Sequence, residues 1–263
     1  MGICAQNLGR GMREWKSALA ALVALGIVFA FAAFAQDDEP GGQLSLDRLA
    51  YIQPGSYLAG DSTAFTLDSA GGNYLLRFGG ASEVFVLYVD RGSLGGRVLK
   101  YDSGETALNV SGWGGMTLYP DSAPQGLPAV RTGDSQPPFP PSISLQDMQN
   151  AAGDEGERLG YVRRLNVQFT ADWNALADNP NVRGFAFDAM ENAARGIERF
   201  TSNGGAHDAF ARRISAVMVS PGSKPTLGMN GRTLIVTFNP GWNFAGRASS
   251  RAIARALRNV LSH

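Results

Sequence analysis

Gly246-Arg247-Ala248-Ser249-Ser250-Arg251 sets two guanidinium groups and two hydroxyls directly ahead of an amphipathic helical repeat. A helix start offers N–H groups with no intrahelical partner and the positive end of the peptide dipole, so this combination suits an anion. Trp242, in the Pro240-Gly241-Trp242 loop just upstream, adds an aromatic face of the kind that stacks on sugar rings. The candidate binding group is therefore Arg247, Ser249, Ser250, Arg251 and Trp242. The same residues also read as a serine-capped helix start and a loop-corner aromatic used for packing. Both readings stay open on sequence.

Other chemistry finds less support. A serine nucleophile needs a base, and beyond the first 35 residues the chain offers only His207 and His263, with no Gly-x-Ser-x-Gly elbow. Two histidines without H-E-x-x-H spacing and without a downstream cysteine make a poor zinc set. Paired carboxylates could hydrolyse glycosides if held in a cleft, but Asp154, Glu155 and Glu157 sit in a Gly-interrupted polar stretch. Glu191 and Glu198 fall on the polar face of a helical repeat. No phosphate-cradling glycine motif is present. Trp113 and Trp173 read as packing aromatics. No catalytic residue, metal ligand or cofactor is nominated.

The binding group must be positioned by the elements around it. Thr233 to Phe238 is a β-branched, aromatic run that predicts a strand, and Asn239-Pro240-Gly241 ends it. Ser249 or Ser250 caps the closing helix, whose apolar stripe is Ala252, Ile253, Ala256, Leu257, Val260 and Leu261. Upstream, residues 143–263 predict an α+β layer. A helix spans Ser144 to Arg158 and a strand Leu165 to Phe169. A second helix carries Ala186, Ala189, Met190, Ala193, Ile197 and Phe200 on one face, with Asp188, Glu191, Arg195 and Glu198 on the other. Asn203-Gly204-Gly205 ends it, a short helical stretch runs from Ala206 to Arg213, and strands follow at Ile214 to Val219 and through a Met229-Asn230-Gly231 hairpin.

Residues 44–119 predict six short strands punctuated by glycine, hence a small antiparallel β-sandwich or barrel. Residues 120–142 hold seven of thirteen prolines and read as a Pro-rich linker between the two modules. The expected fold class is α+β.

Residues 1–35 form a leader, with Arg10, Arg13 and Lys16 ahead of the apolar run Ala18 to Phe34 and an Ala33-Phe34-Ala35 exit. This is the pattern of a cleavable Sec-type signal peptide; an uncleaved anchor is the competing reading. A start at Met12 would give a more compact leader. Residues 36–43 read as a disordered tether. The single cysteine, Cys4, lies within the leader, which excludes disulfides and thiol chemistry from the exported chain. Loss of Arg10, Arg13, Lys16 and Glu14 would leave 20 basic and 22 acidic groups, a net charge of −2. That balance argues against nucleic acid as a partner.

Phe65-x-Leu67-Asp68, Leu76-Arg77-Phe78, Glu83-Val84, Gly114-Gly115-x-Thr117-Leu118 and Gly246-Arg247-x-Ser249-Ser250-x-x-Ile253-Ala254 together resemble an uncharacterised bacterial secreted family, domain of unknown function 4908. The resemblance implies secretion and a shared fold, and it transfers no site residue. The expected function is that of a periplasmic or extracellular, non-enzymatic binding protein with an envelope ligand or protein as partner. A hydrolase with a scattered site and a structural or assembly role are the alternatives. Membrane contact is expected only through an uncleaved leader.

Overall fold

A computed structural model describes residues 52–202 and 204–261. The leader, the tether, Asn203 and His263 lie outside the described residues. Those described belong to one compact unit. Among them, no helix is long and apolar enough to cross a membrane.

The first half is a closed barrel of eight antiparallel strands in sequence order, β1 (Gly55–Ala59), β2 (Thr63–Ala70), β3 (Asn73–Phe78), β4 (Phe85–Arg91), β5 (Arg97–Tyr101), β6 (Thr106–Val110), β7 (Met116–Leu118) and β8 (Leu127–Gly133). Alternation decides what fills it. Tyr57, Phe65, Leu67, Leu76, Phe85, Leu87, Leu99, Tyr101, Leu108 and Leu118 pack together inside, with Tyr57 stacked on Phe65 at 5.2 Å between ring centroids. Eight strands enclose a space that side chains can fill, so the interior is a core rather than a channel.

Two strands were not anticipated. β1 is short, and β8 lies in the middle of the stretch expected to be a linker. It pairs with β1 on one side and β7 on the other and closes the barrel. Pro128 is tolerated near its start, where its carbonyl accepts the Gly60 N–H at 2.9 Å from the β1–β2 turn. The following segment is also packed. Ser135 donates to the buried Asp68 at 2.5 Å, and a Cβ on Gly184 would lie 2.2 Å from the Pro141 carbonyl oxygen. Proline density here reflects backbone that needs few ladder hydrogen bonds.

The second half contains helices α1 (Leu145–Arg163), α2 (Trp173–Ala177), α3 (Pro180–Phe200), α4 (Gly204–Arg213) and α5 (Ser250–Leu261). They accompany a four-stranded sheet in the order β11 (Thr226–Asn230), β12 (Thr233–Phe238), β10 (Ala216–Pro221), β9 (Gln168–Ala171). β9, β10 and β12 run parallel, and β11 is an antiparallel edge. Val217, Val219, Leu234, Val236 and Phe238 form the buried face and join Ala186, Ala189, Met190, Ala193 and Ile197 of α3 with Ile253, Ala254 and Leu257 of α5 in one core. The protein is α+β, an antiparallel barrel followed by a helix-covered sheet.

Local signals place most boundaries. Ser144 caps α1 by accepting the Asp147 N–H at 3.0 Å. α1 runs five residues beyond its expected end because its stop is Arg164, a non-glycine residue in the left-handed conformation (φ 55°). The Leu165 N–H then bonds back to the Leu159 carbonyl at 3.3 Å, so the chain closes over the last turn of the helix. That use of Leu165 moves the strand expected at 165–169 on to Gln168–Ala171.

Candidate functional site

Strands of a meander turn alternately at opposite ends of the barrel. One end is built from the β1–β2, β3–β4, β5–β6 and β7–β8 loops, the last three carrying Glu83, then Asp102 and Glu105, then Asp121. α5 begins against this end. The turn before it is set by Asn239, whose side chain accepts the Gly241 N–H at 2.9 Å. Only glycine fits at 246, since a Cβ there would lie 1.8 Å from the Asn239 carbonyl oxygen.

The donors expected to hold an external anion meet carboxylates of the same chain. Ser249 donates its N–H and hydroxyl to the two oxygens of Asp102, at 2.7 and 2.5 Å. Ser250 donates likewise to Glu83, both at 2.8 Å. The helix start is thus satisfied by residues roughly 150 positions upstream, in agreement with the preference of N-terminal dipoles for negative charge. The Ser249 hydroxyl also accepts the Ala252 N–H at 3.2 Å, so the cap and the anion readings are both realised by one residue.

Arg247 is 3% exposed and pairs with the buried Asp188 of α3. It donates further to the carbonyls of Val84 at 2.6 Å and Phe244 at 3.2 Å, and it lies 5.2 Å from the Phe244 ring. Asp188, expected on a solvated face, is buried because Arg247 compensates its charge. Trp242 sits on the preceding turn, 53% exposed. Arg247, Ser249 and Ser250 therefore work as joints between barrel and helices. Of the five residues, Arg251 lines a cleft.

The cleft has a volume of about 510 Å³ and lies between the barrel end and helices α3 and α5. Arg195, Arg199 and Arg251 line it together with Glu83, Asp121, Ser82 and Ser122. Arg195 and Arg199 stand one helical turn apart on α3, hence on the same face. Arg195 donates to Ser82 at 2.7 Å and to Glu191 at 2.9 Å. Arg251 lies 4.2 Å from the Tyr101 ring centroid, donates to Glu105 at 2.7 Å, and pairs with Asp121. Arg199 takes the other oxygen of that carboxylate. Asp121 is thus held by two guanidinium groups from two helices.

The electrostatics separate the two carboxyls of the cleft. Burial pushes the Glu83 carboxyl above the usual range, and the hydrogen bonds from Ser250 and the charges of Arg195 and Arg247 only partly oppose it. Burial would also raise Asp121, but the hydrogen bonds and charges of Arg199 and Arg251 outweigh it and hold that carboxyl below the usual range. Tyr101 is pushed up to about 12 by burial. Its hydroxyl and the Nε of Arg251 are buried without a hydrogen-bond partner, an arrangement uncommon enough in folded proteins to mark the spot.

A larger concavity of about 960 Å³ lies between α1 and β9. It is walled by Gly153, Gly156 and Gly160, with Glu157 and Arg164 as its charged side chains. The smaller cleft gathers more charge, and it is the better candidate for chemistry. Among the described residues, no three His, Cys, Asp or Glu side chains converge as a metal-ligand set. The carboxylates of Glu83, Asp102 and Asp121 and the pair Arg195 and Arg199 were not foreseen. The visible hints were a lone Glu83 at the head of the most apolar strand and the spacing of four between two arginines on α3.

No curated protein and no solved structure matches the chain. The model of one family, described as a domain of unknown function, covers residues 45–257, which spans both the barrel and the helix-covered sheet as far as Leu257 of α5. With its cleft and both of its layers inside that match, the chain belongs to the domain of unknown function family DUF4908.

Proposed function

We propose that the protein is an exported, non-enzymatic envelope protein that binds a ligand bearing a carboxylate or phosphate in the cleft of Arg195, Arg199 and Arg251. The observation that carries this reading is Asp121, whose two oxygens are taken by Arg199 and Arg251. Two guanidinium groups so placed form a receptor for a planar or tetrahedral anion, and arginine is the side chain suited to bind one through paired donors. Asp121 is loop-borne and its side chain is 56% exposed, so a ligand anion can take its place. The partner-free Arg251 Nε supplies a further donor.

Titration calorimetry with inorganic phosphate, sulfate and citrate tests the site. Asp121→Ala should bind at least one of them about tenfold more tightly than the wild type, because the internal competitor is gone. Arg199→Ala added to Asp121→Ala should abolish that gain. Absence of binding by both wild type and Asp121→Ala would dispose of the reading. Export rests on the Ala33-Phe34-Ala35 exit, and intact mass of the exported chain should show a start at Gln36.

A hydrolase is the second reading, favoured by one observation. Glu83 and Asp121 line the same cleft with carboxyl pKa values displaced in opposite directions, the relation expected of an acid and base pair. It ranks second because both Glu83 oxygens already accept from Ser250. Turnover of envelope glycans by the wild type and its loss in Glu83→Gln would promote it.

A further inference from the structure

The arginine cleft is larger than the anion it would hold. Its volume of about 510 Å³ falls within the roughly 300 to 1,000 Å³ of sites that bury an organic ligand. A phosphate or carboxylate group is only a few times the size of a water molecule, which takes about 30 Å³ of liquid. Such a group on Arg199 and Arg251 would stand where Asp121 stands and leave most of the space unfilled. What lines the remaining space decides what else the ligand carries.

That lining is apolar at the barrel mouth, where Phe78, Phe85, Ala81 and Pro120 border the cleft. Phe78 ends β3; it packs against the barrel interior yet stays half-buried. Its ring meets Phe85 edge to face at 6.2 Å, Phe85 meets Tyr101 in the same way at 5.2 Å, and the Arg251 guanidinium lies 4.2 Å from the Tyr101 centroid. One aromatic chain thus joins the apolar wall to the charged one and fixes their spacing. Gly80 also lines the cleft, and a Cβ there would meet nothing within 4 Å, so the β3–β4 loop leaves open space beside this wall. The other charged groups have partners of their own. Arg195 is held by Glu191 and Ser82, one nitrogen of Arg251 by Glu105, and both Glu83 oxygens accept from Ser250. The partner that two arginines share is Asp121, whose side chain is 56% exposed.

We infer that the cleft takes an organic anion whose carboxylate or phosphate is joined to a ring, with the charged group on Arg199 and Arg251 and a face of the ring on Phe78. The inference rests on the anion-binding reading of this cleft and adds its ligand class. Phe78 is then the residue that selects a ring-bearing anion over a bare one. A sugar ring and an aryl ring share the required chemistry, since each offers an apolar face to an aromatic side chain. They differ at the ring edge, where the Thr63 and Ser122 hydroxyls, which also line the cleft, suit the hydroxyls of a sugar.

The test is titration calorimetry with anions matched in their charged group. One set is inorganic phosphate, phenyl phosphate and glucose 6-phosphate; the other is acetate, benzoate and glucuronate. Each is titrated into the wild type and into Asp121→Ala, which lacks the internal competitor. A ring-bearing member of at least one set should bind about tenfold more tightly than its bare counterpart. An advantage confined to the aryl compounds assigns an aryl ligand, and one confined to the sugars assigns a sugar. Phe78→Ala in the Asp121→Ala background should bring the ratio of the two affinities down to about one. Phe78→Leu keeps apolar volume in the barrel mouth and should lower the ratio as well, and it replaces the alanine variant if that one does not fold.

Equal affinity for bare and ring-bearing anions, or binding of the bare ones alone, would overturn this inference and leave the anion-binding reading intact. A ring advantage that persists undiminished on substitution of Phe78 would overturn it too, because the ring would then rest elsewhere. No binding of any of the six by either the wild type or Asp121→Ala would remove the anion-binding reading, and this inference with it. The ratio in the unsubstituted Phe78 proteins decides the ligand class even if neither Phe78 variant folds.

Discussion

The two ends of the barrel are made of the same material, tight glycine-bearing turns between short strands, yet they have opposite fates. At one end the loops carry Glu83, Asp102, Glu105 and Asp121, and each of these carboxylates meets a donor from α5 or from its cap Ser249. At the other end the tips carry Leu94 and Trp113, nearly fully exposed above Arg91 and Arg97. The lesson concerns what a turn can do. A loop carboxylate is worth little in water, but against a helix N-terminus and buried arginines it becomes a structural joint.

The strongest way to break the comparison is at the docked end. Arg247→Ala would leave Asp188 buried without its partner and should cost about 3 to 5 kcal/mol in chemical denaturation, far more than an exposed arginine contributes. At the free end the corresponding liability is steric. Gly112→Ala should cost about 1 to 3 kcal/mol, because the new Cβ runs into the Leu94 backbone and the turns must part.

A subtler effect separates two carboxyls of the docked end by pH. The folded state raises the Glu83 carboxyl above its ordinary 4.5, so the folded protein holds a proton that the unfolded chain has released. Its contribution is then full below about pH 4.5 and is lost as pH rises through the higher folded value. Wild type minus Glu83→Gln stability should accordingly fall with rising pH above 4.5, as read by urea midpoints across pH 4 to 8. Asp121 acts in the opposite sense, its contribution being present above its ordinary 3.8 and lost on acidification. Titrating an Asp121→Asn variant alongside would separate the two slopes. The smallest effect belongs to the free end, where Leu94→Asn should raise stability by roughly 0.5 to 1 kcal/mol by relieving a left-handed leucine. Thermal unfolding of the variant against the wild type reads the gain.

Several features were legible because they depend on neighbours in the chain. Turn glycines and alternating apolar residues announced strands β2 to β7, although β7 extends only from Met116 to Leu118. The periodic stripes of α3 and α5 announced helices; all six stripe residues of α3 are buried, whereas on α5 Ile253 and Leu257 are buried together with Ser250, Arg251 and Ala254 from outside the stripe. A serine cap before α5 was expected, and Ser249 provides it. β8 was hidden because its seven residues include Pro128 and sit among other prolines, and what makes it a strand is the pair of barrel edges it closes.

The chain by itself determined that it would form a glycine-rich all-antiparallel module followed by helices and strands, and that a helix would begin at Ser249-Ser250 behind an arginine. Those facts follow from local periodicity, capping and turn chemistry, which act over a few residues. Only the tertiary structure decided that the anions at that helix start are Glu83 and Asp102, that Arg247 is a buried joint, and that Arg195 and Arg199 share a cleft with Arg251. Each of these pairings spans tens to more than a hundred residues, and which charges meet is set by barrel closure and helix packing, whose geometry no local spacing encodes.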